Sequence, residues 1–140
     1  MTQAPSVTGS GQADELRQEM ADGVIAEGWI TSPHVEAAFR AVPRHLFTPI
    51  ETSYIGRTAK VLRKAPDGSN LSSLSGPWRQ AKMIAQAGIE PGMRVMEIGS
   101  GGHNPALLAE VTGEHVVTVD NIDPDITAGA SAPSTALIAR

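Results

Sequence analysis

The stretch RVMEIGSGGHNPALLAEVTGEHVVTVD, Arg94 to Asp120, decides the fold. Arg94-Val95-Met96-Glu97-Ile98 reads as a short strand, and Gly99-Ser100-Gly101-Gly102 breaks it at once. Asn104-Pro105 then predicts the cap of a helix running through Val111, with Gly113 as its stop. Val116-Val117-Thr118-Val119 reads as a second strand, ending on Asp120. Strand, glycine-rich turn, helix, strand and acid is the order of a nucleotide-type cofactor site. Glycines let the backbone approach a ligand, and the N–H groups of the following helix point at its polar part. Asp120 stands roughly 20 residues beyond Gly99, the distance at which an acid meets a ribose diol. The same order also serves as a purely structural βαβ turn, which is the competing reading.

The charges in the turn discriminate between cofactors. A dinucleotide fingerprint asks for glycine at its sixth position, where this chain has Asn104. Glu97, two residues before Gly99, would repel a pyrophosphate but suits a ligand with an amino group and a sulfonium. S-adenosylmethionine fits these charges better than NAD does. Glu97 as a local cap for backbone N–H groups is the alternative.

Upstream, residues 1–12 are small and polar and are expected to form a disordered arm. Leu16, Met20 and Val24 recur at helical spacing from Ala13 onward, with Gly28 as the stop. Ser32-Pro33 predicts a second helix burying Val35, Ala38, Phe39 and Val42, ended by Pro43. Val61-Leu62-Arg63, Pro66-Asp67-Gly68 and Asn70-Leu71 read as a hairpin, with Arg57, Lys60, Arg63 and Lys64 as a solvated basic face. A third helix opens at Pro77, capped by Ser75 or Gly76, burying Trp78, Ala81, Ile84 and Ala85 and closing at Gly88. This divides the chain into 1–12, a helical and hairpin region 13–76, a partial cofactor-binding core 77–125, and a loosely ordered tail 126–140.

Composition narrows the class. The chain has 140 residues, no cysteine, and a net charge of −4 from 15 acidic and 11 basic residues. An acidic balance argues against a nucleic-acid binder, and no apolar run approaches a membrane span. His34, His45, His103 and His115 are scattered and read as surface or turn residues, and no metal site is expected. A cytoplasmic α/β chain is the resulting expectation.

Three blocks taken in order carry a resemblance: VPRHLFTP (Val42 to Pro49), SGPW (Ser75 to Trp78) and PGMRVMEIGSGG (Pro91 to Gly102). Together they resemble the protein-L-isoaspartate O-methyltransferase family, and within it the FxLD-type branch, over Leu16 to Asp125. The resemblance implies N-terminal helices followed by a Rossmann-like seven-stranded methyltransferase fold. It implies S-adenosylmethionine as methyl donor and an aspartyl or isoaspartyl carboxylate of a protein or peptide as acceptor. It places Glu97, Gly99 and Gly101, with Ser100 and Gly102 in the same turn, on the donor-binding motif. Asp120 falls on the ribose-binding acid; Asn121 looks like an insertion there, so Asp123 is the alternative. Ser75 aligns with a serine treated in the family as the active-site residue, although a serine before Gly-Pro reads equally as a helix cap. Gly76 replaces the family's usual alanine or glutamine, and His103 stands where a tyrosine is usual.

Only two strands of such a sheet are readable, so the sequence looks like the N-terminal part of a methyltransferase. The strand through Val95 and Ile98 is expected to leave a hydrophobic edge open to self-association or to a partner chain. Two other classes stay open: a noncatalytic fragment or accessory module needing a partner, and a nucleotide-binding oxidoreductase fragment.

Overall fold

The computed structural model describes residues 10–48, 53–54, 59–98, 102–114 and 116–119. The chain order is α1 (Ser10–Ala26), α2 (Pro33–Ala41), a short 3-10 turn (Arg44–Leu46), β1 (Lys60–Lys64), β2 (Asn70–Leu74), α3 (Pro77–Gln86), β3 (Val95–Ile98), α4 (His103–Thr112) and β4 (Val116–Val119). The order is α/β, as expected. Residues 1–9 and the tail 126–140 lie outside the described residues.

Helix α1 starts three residues earlier than expected, because buried Ala13 packs into the core and the turn before it is helical. It buries Ala13, Met20, Ala21 and Val24. Helix α2 buries Val35, Ala38 and Phe39, with Val42 buried just beyond its end. Ser32 stands at its N-cap with no side-chain capping bond, and proline occupies the first turn. On the solvent side, Arg40 of α2 donates to Asp22 at 2.7 Å, Glu36 at 2.9 Å and Gln18 at 2.9 Å.

The hairpin β1–β2 is antiparallel and irregular, with register shifts on either side of Arg63. Asp67 accepts from the Ser69 amide at 2.9 Å and hydroxyl at 2.6 Å, so the side chain shapes the turn. Of the basic residues there, Lys64 is exposed while Lys60 and Arg63 are half-buried; Arg57 lies outside the described residues.

Helix α3 ends where the Gly88 N–H bonds to Ala85 O and the Ile89 N–H to Ile84 O, with Gly88 at φ +61. That pattern needs a left-handed residue, which glycine supplies without strain, and it turns Ile89 back against the core. Trp29 is returned in the same way after α1. The buried face of α3 differs from expectation. It is Pro77, Gln80, Ala81 and Ile84, spaced at i, i+3, i+4 and i+7. Trp78 is half-buried, and Ala85 falls off the stripe and is exposed.

Strands β3 and β4 pair in parallel, Val95 with Val116, Glu97 with Thr118 and Ile98 with Val119. Helix α4 connects them and buries Leu107, Leu108 and Val111 between β4 and α2. Strand alternation places Val95 and Glu97 half-buried, while Met96 and Ile98 are 65% and 76% exposed. Among the described residues no helix is long and apolar enough to cross a membrane.

Candidate functional site

The end of β3 and the start of α4 face one another across the glycine turn. Glu97 Oε1 accepts from Asn104 Nδ2 at 2.5 Å, so the second residue of α4 is tied to the strand. Asn104 is therefore not the cap predicted for this helix. The helix starts two residues earlier than that cap implies, at His103, with Gly102 at the N-cap and no side-chain capping bond. Proline in this first turn costs no helical hydrogen bond.

Gly102 has φ +87, and a Cβ built on it would meet Phe47 Cδ1 at 2.8 Å. This glycine serves close packing: the Phe47 ring, from the block Val42 to Pro49, lies against the turn. Gly99, Ser100, Gly101, Asp120 and Asp123, the other residues assigned to the donor from sequence, lie outside the described residues.

Behind the turn is a buried polar junction that the sequence reading missed. Arg44, Gln80 and His103 are 0%, 1% and 0% exposed. Arg44 Nη1 donates to Gln80 Oε1 at 2.7 Å and to His103 Nδ1 at 3.1 Å, and Nη2 donates to the Ser75 carbonyl at 2.7 Å. Burial lowers the Arg44 pKa to about 10, which still leaves a cation at neutral pH. Burial, and then the charge of Arg44, push the His103 pKa well below its usual value, so the ring is neutral. A guanidinium has no acceptor to offer. His103 Nδ1 therefore accepts from it when the ring proton is on Nε2 and, when the proton is on Nδ1, donates instead to Gln80 Oε1 at 3.0 Å; Nε2 has no partner among the described residues. The Phe47 ring packs edge-on against the imidazole, centroids 5.6 Å apart.

His103 is thus not the surface histidine that its isolation in the sequence suggested. A signal was present: His103, Leu107 and Val111 recur every four residues and share the buried face of α4. Gln80 likewise sits on the α3 stripe with Pro77 and Ile84. Ser75 is half-buried at the junction of β2 and α3, held through its backbone carbonyl. The three sequence blocks converge here, through Arg44 and Phe47, Ser75, and Gly102. A groove of about 630 Å³ runs along α4 beside Val42, Pro43 and Leu46 and includes neither Ser75 nor Glu97.

The chain is similar to known proteins over most of its length. A profile of the protein-L-isoaspartate(D-aspartate) O-methyltransferase family covers residues 15–132. A protein-L-isoaspartate O-methyltransferase of Hyperthermus butylicus is 34% identical over 118 residues, 77% of this chain and 47% of the relative. A solved protein-L-isoaspartate O-methyltransferase superposes with a TM-score of 0.64 at 28% identity, covering 81% of this chain and 36% of that one. A Plasmodium falciparum chain described as a β-aspartate methyltransferase, solved with S-adenosyl-L-homocysteine, superposes at TM-score 0.60 and 17% identity, over 82% of this chain and 56% of that one. The chain spans about half the length of the curated relatives it matches. On the family profile and the order of its motifs, the chain belongs to the protein-L-isoaspartate(D-aspartate) O-methyltransferase family.

Proposed function

We propose that this chain binds S-adenosylmethionine at the β3–α4 turn and serves methyl transfer to an aspartyl or isoaspartyl carboxylate of a protein or peptide. The observation that carries the reading is the pairing of Glu97 with the first turn of α4 across a glycine turn, in a chain of this family. The charges fit the donor. A half-buried carboxylate stands at the strand end, suited to an amino group and a sulfonium. The first turn of α4 carries no acidic residue, so the positive end of the helix suits the polar part of a ligand. Glu97 and the backbone of Gly99, Ser100, Gly101 and Gly102 are assigned to hold the donor, with Asp120 or Asp123 on its ribose. When bound, S-adenosylmethionine supplies an electrophilic methyl group.

The protein's own task is light in acid–base chemistry. An aspartyl-type carboxylate, with a pKa near ~3.9, is already ionised at pH 7 and needs no general base. What remains is to hold one carboxylate oxygen in line with the methyl group, which is catalysis by orientation. Ser75 is assigned to that acceptor side as a hydrogen-bond donor. The reading includes a cytoplasmic location.

Calorimetry with S-adenosyl-L-homocysteine and with NAD tests the donor assignment, and Gly101→Val is expected to abolish binding because a Cβ fills ligand space. Binding of NAD in place of the homocysteine ligand would return the chain to the oxidoreductase reading. A mass-shift assay on an isoaspartyl peptide tests transfer. Donor binding without turnover would identify a noncatalytic or accessory module, for which the exposed β3–β4 strands offer a place for self-association or a partner chain.

A further inference from the structure

Resting on the functional reading above, we infer that Arg44 is a positioning residue: it ties the Ser75 segment to the donor-side helix α4 so that both sides of the site move as one unit. A single planar cation reaches three partners far apart in sequence. It binds the Ser75 carbonyl and the Gln80 side chain, on either side of the start of α3, and His103, the first residue of α4. All three partners are neutral acceptors. A buried cation is weak evidence for stability as such, because desolvation costs several kcal/mol and replacing the cation together with its partners by apolar groups often does as well. The fork does fix angles. Two nitrogens in one rigid plane set the Ser75 carbonyl and the His103 ring relative to each other. His103 in turn follows Gly102, whose place is set by the Phe47 ring. Lysine would keep the charge and lose the plane.

The test compares the full chain with Arg44→Lys and Arg44→Met, and with Val35→Ala as a core variant away from the junction. Two ligand-free signals come first: the carbonyl-carbon resonance of Ser75 and the nitrogen resonances of His103. In the wild type the His103 proton is expected on Nε2. In Arg44→Met it is expected to move to Nδ1, which then donates to Gln80 Oε1, 3.0 Å away. The Ser75 resonance is expected to shift in both Arg44 variants and to stay in Val35→Ala. With S-adenosyl-L-homocysteine, amide exchange in the wild type is expected to slow at residues 102–108 and also at 75–81. In Arg44→Lys only the first segment responds, with Kd within about threefold. In the transfer assay kcat falls by about 100-fold, as for a misplaced reacting group, while KM for the donor holds. An Arg44→Lys protein that keeps the Ser75 resonance, or a Val35→Ala protein that loses it equally, overturns the inference. So does exchange at 75–81 that responds to ligand without Arg44. Failure of the wild type to bind the homocysteine ligand would instead overturn the functional reading; the ligand-free resonances decide the positioning role in that case.

Discussion

Two arginines four residues apart, Arg40 and Arg44, sit in opposite physical regimes. Arg40 lies on the outer face of α1 and α2, among Asp22, Glu36 and Gln18, and Asp22 is 66% exposed. Its carboxylate partners hold its pKa above the usual guanidinium value. Arg44 is fully buried and, among the described residues, bonds to a carbonyl, an amide oxygen and an imidazole. The formal ion pairs belong to the residue that contributes little, since water and salt screen exposed pairs to about 0–1 kcal/mol. The residue without a counter-ion among the described residues is the one whose loss would leave several buried acceptors unpaired. Opposite charge nearby is therefore a poor guide to structural importance in this molecule; burial with multiple partners is the better one.

The sharpest test of that contrast is Arg44→Met. It strips the donor from the Ser75 carbonyl, Gln80 Oε1 and His103 Nδ1 at once, and only the last two can re-pair with each other. The expected loss is about 3 kcal/mol, given ~1–3 kcal/mol for each unsatisfied buried group. Urea unfolding measures it, and a loss below that of the matching Arg40 variant would reverse the comparison.

Next is Gly102→Ala, which joins an unfavourable positive φ to a 2.8 Å approach to Phe47 Cδ1. About 2 kcal/mol is expected. Phe47→Leu in the same chain should recover the steric part and leave the backbone part. A double variant no more stable than Gly102→Ala would show that Phe47 does not set this turn.

The buried junction should also make stability pH-dependent in one direction. His103 has a folded pKa depressed below its usual 6.5, so the unfolded chain binds the proton more readily. Its contribution is fully present above pH 6.5 and is lost as pH falls below it, by up to about 1.4 kcal/mol per pH unit. His103→Gln is expected to flatten that slope between pH 6.5 and 5.5. An unchanged slope in the variant would assign the effect to other groups.

Smallest is Arg40→Gln, expected to cost under about 1 kcal/mol and to cost less still in high salt. A salt-independent loss comparable with that of Arg44→Met would show that the outer cluster is not screened as its exposure implies.

What the amino-acid sequence determined by itself is what local physics encodes. The stripe Val35, Ala38, Phe39, Val42 closes on the core at helical spacing. Turn residues 66–68 lie between two strands that pair, and β3, α4 and β4 follow one another as read, the strands in parallel. Each depends on residues within a few positions of one another, so period and punctuation suffice. Part of the missed junction was also written locally, since Gln80 and His103 occupy buried helical stripes. Their polarity argued against burial, and nothing within four residues of either supplies a partner. The partner is Arg44, 36 positions from Gln80 and 59 from His103. Only the folded chain brings a cation to two neutral side chains across such separations, and only then is burial of all three less costly than exposure of any one. Asn104 shows the same division on a shorter scale. Its type and place suggested a cap, and the strand that folded back beside it decided that its amide binds Glu97 instead.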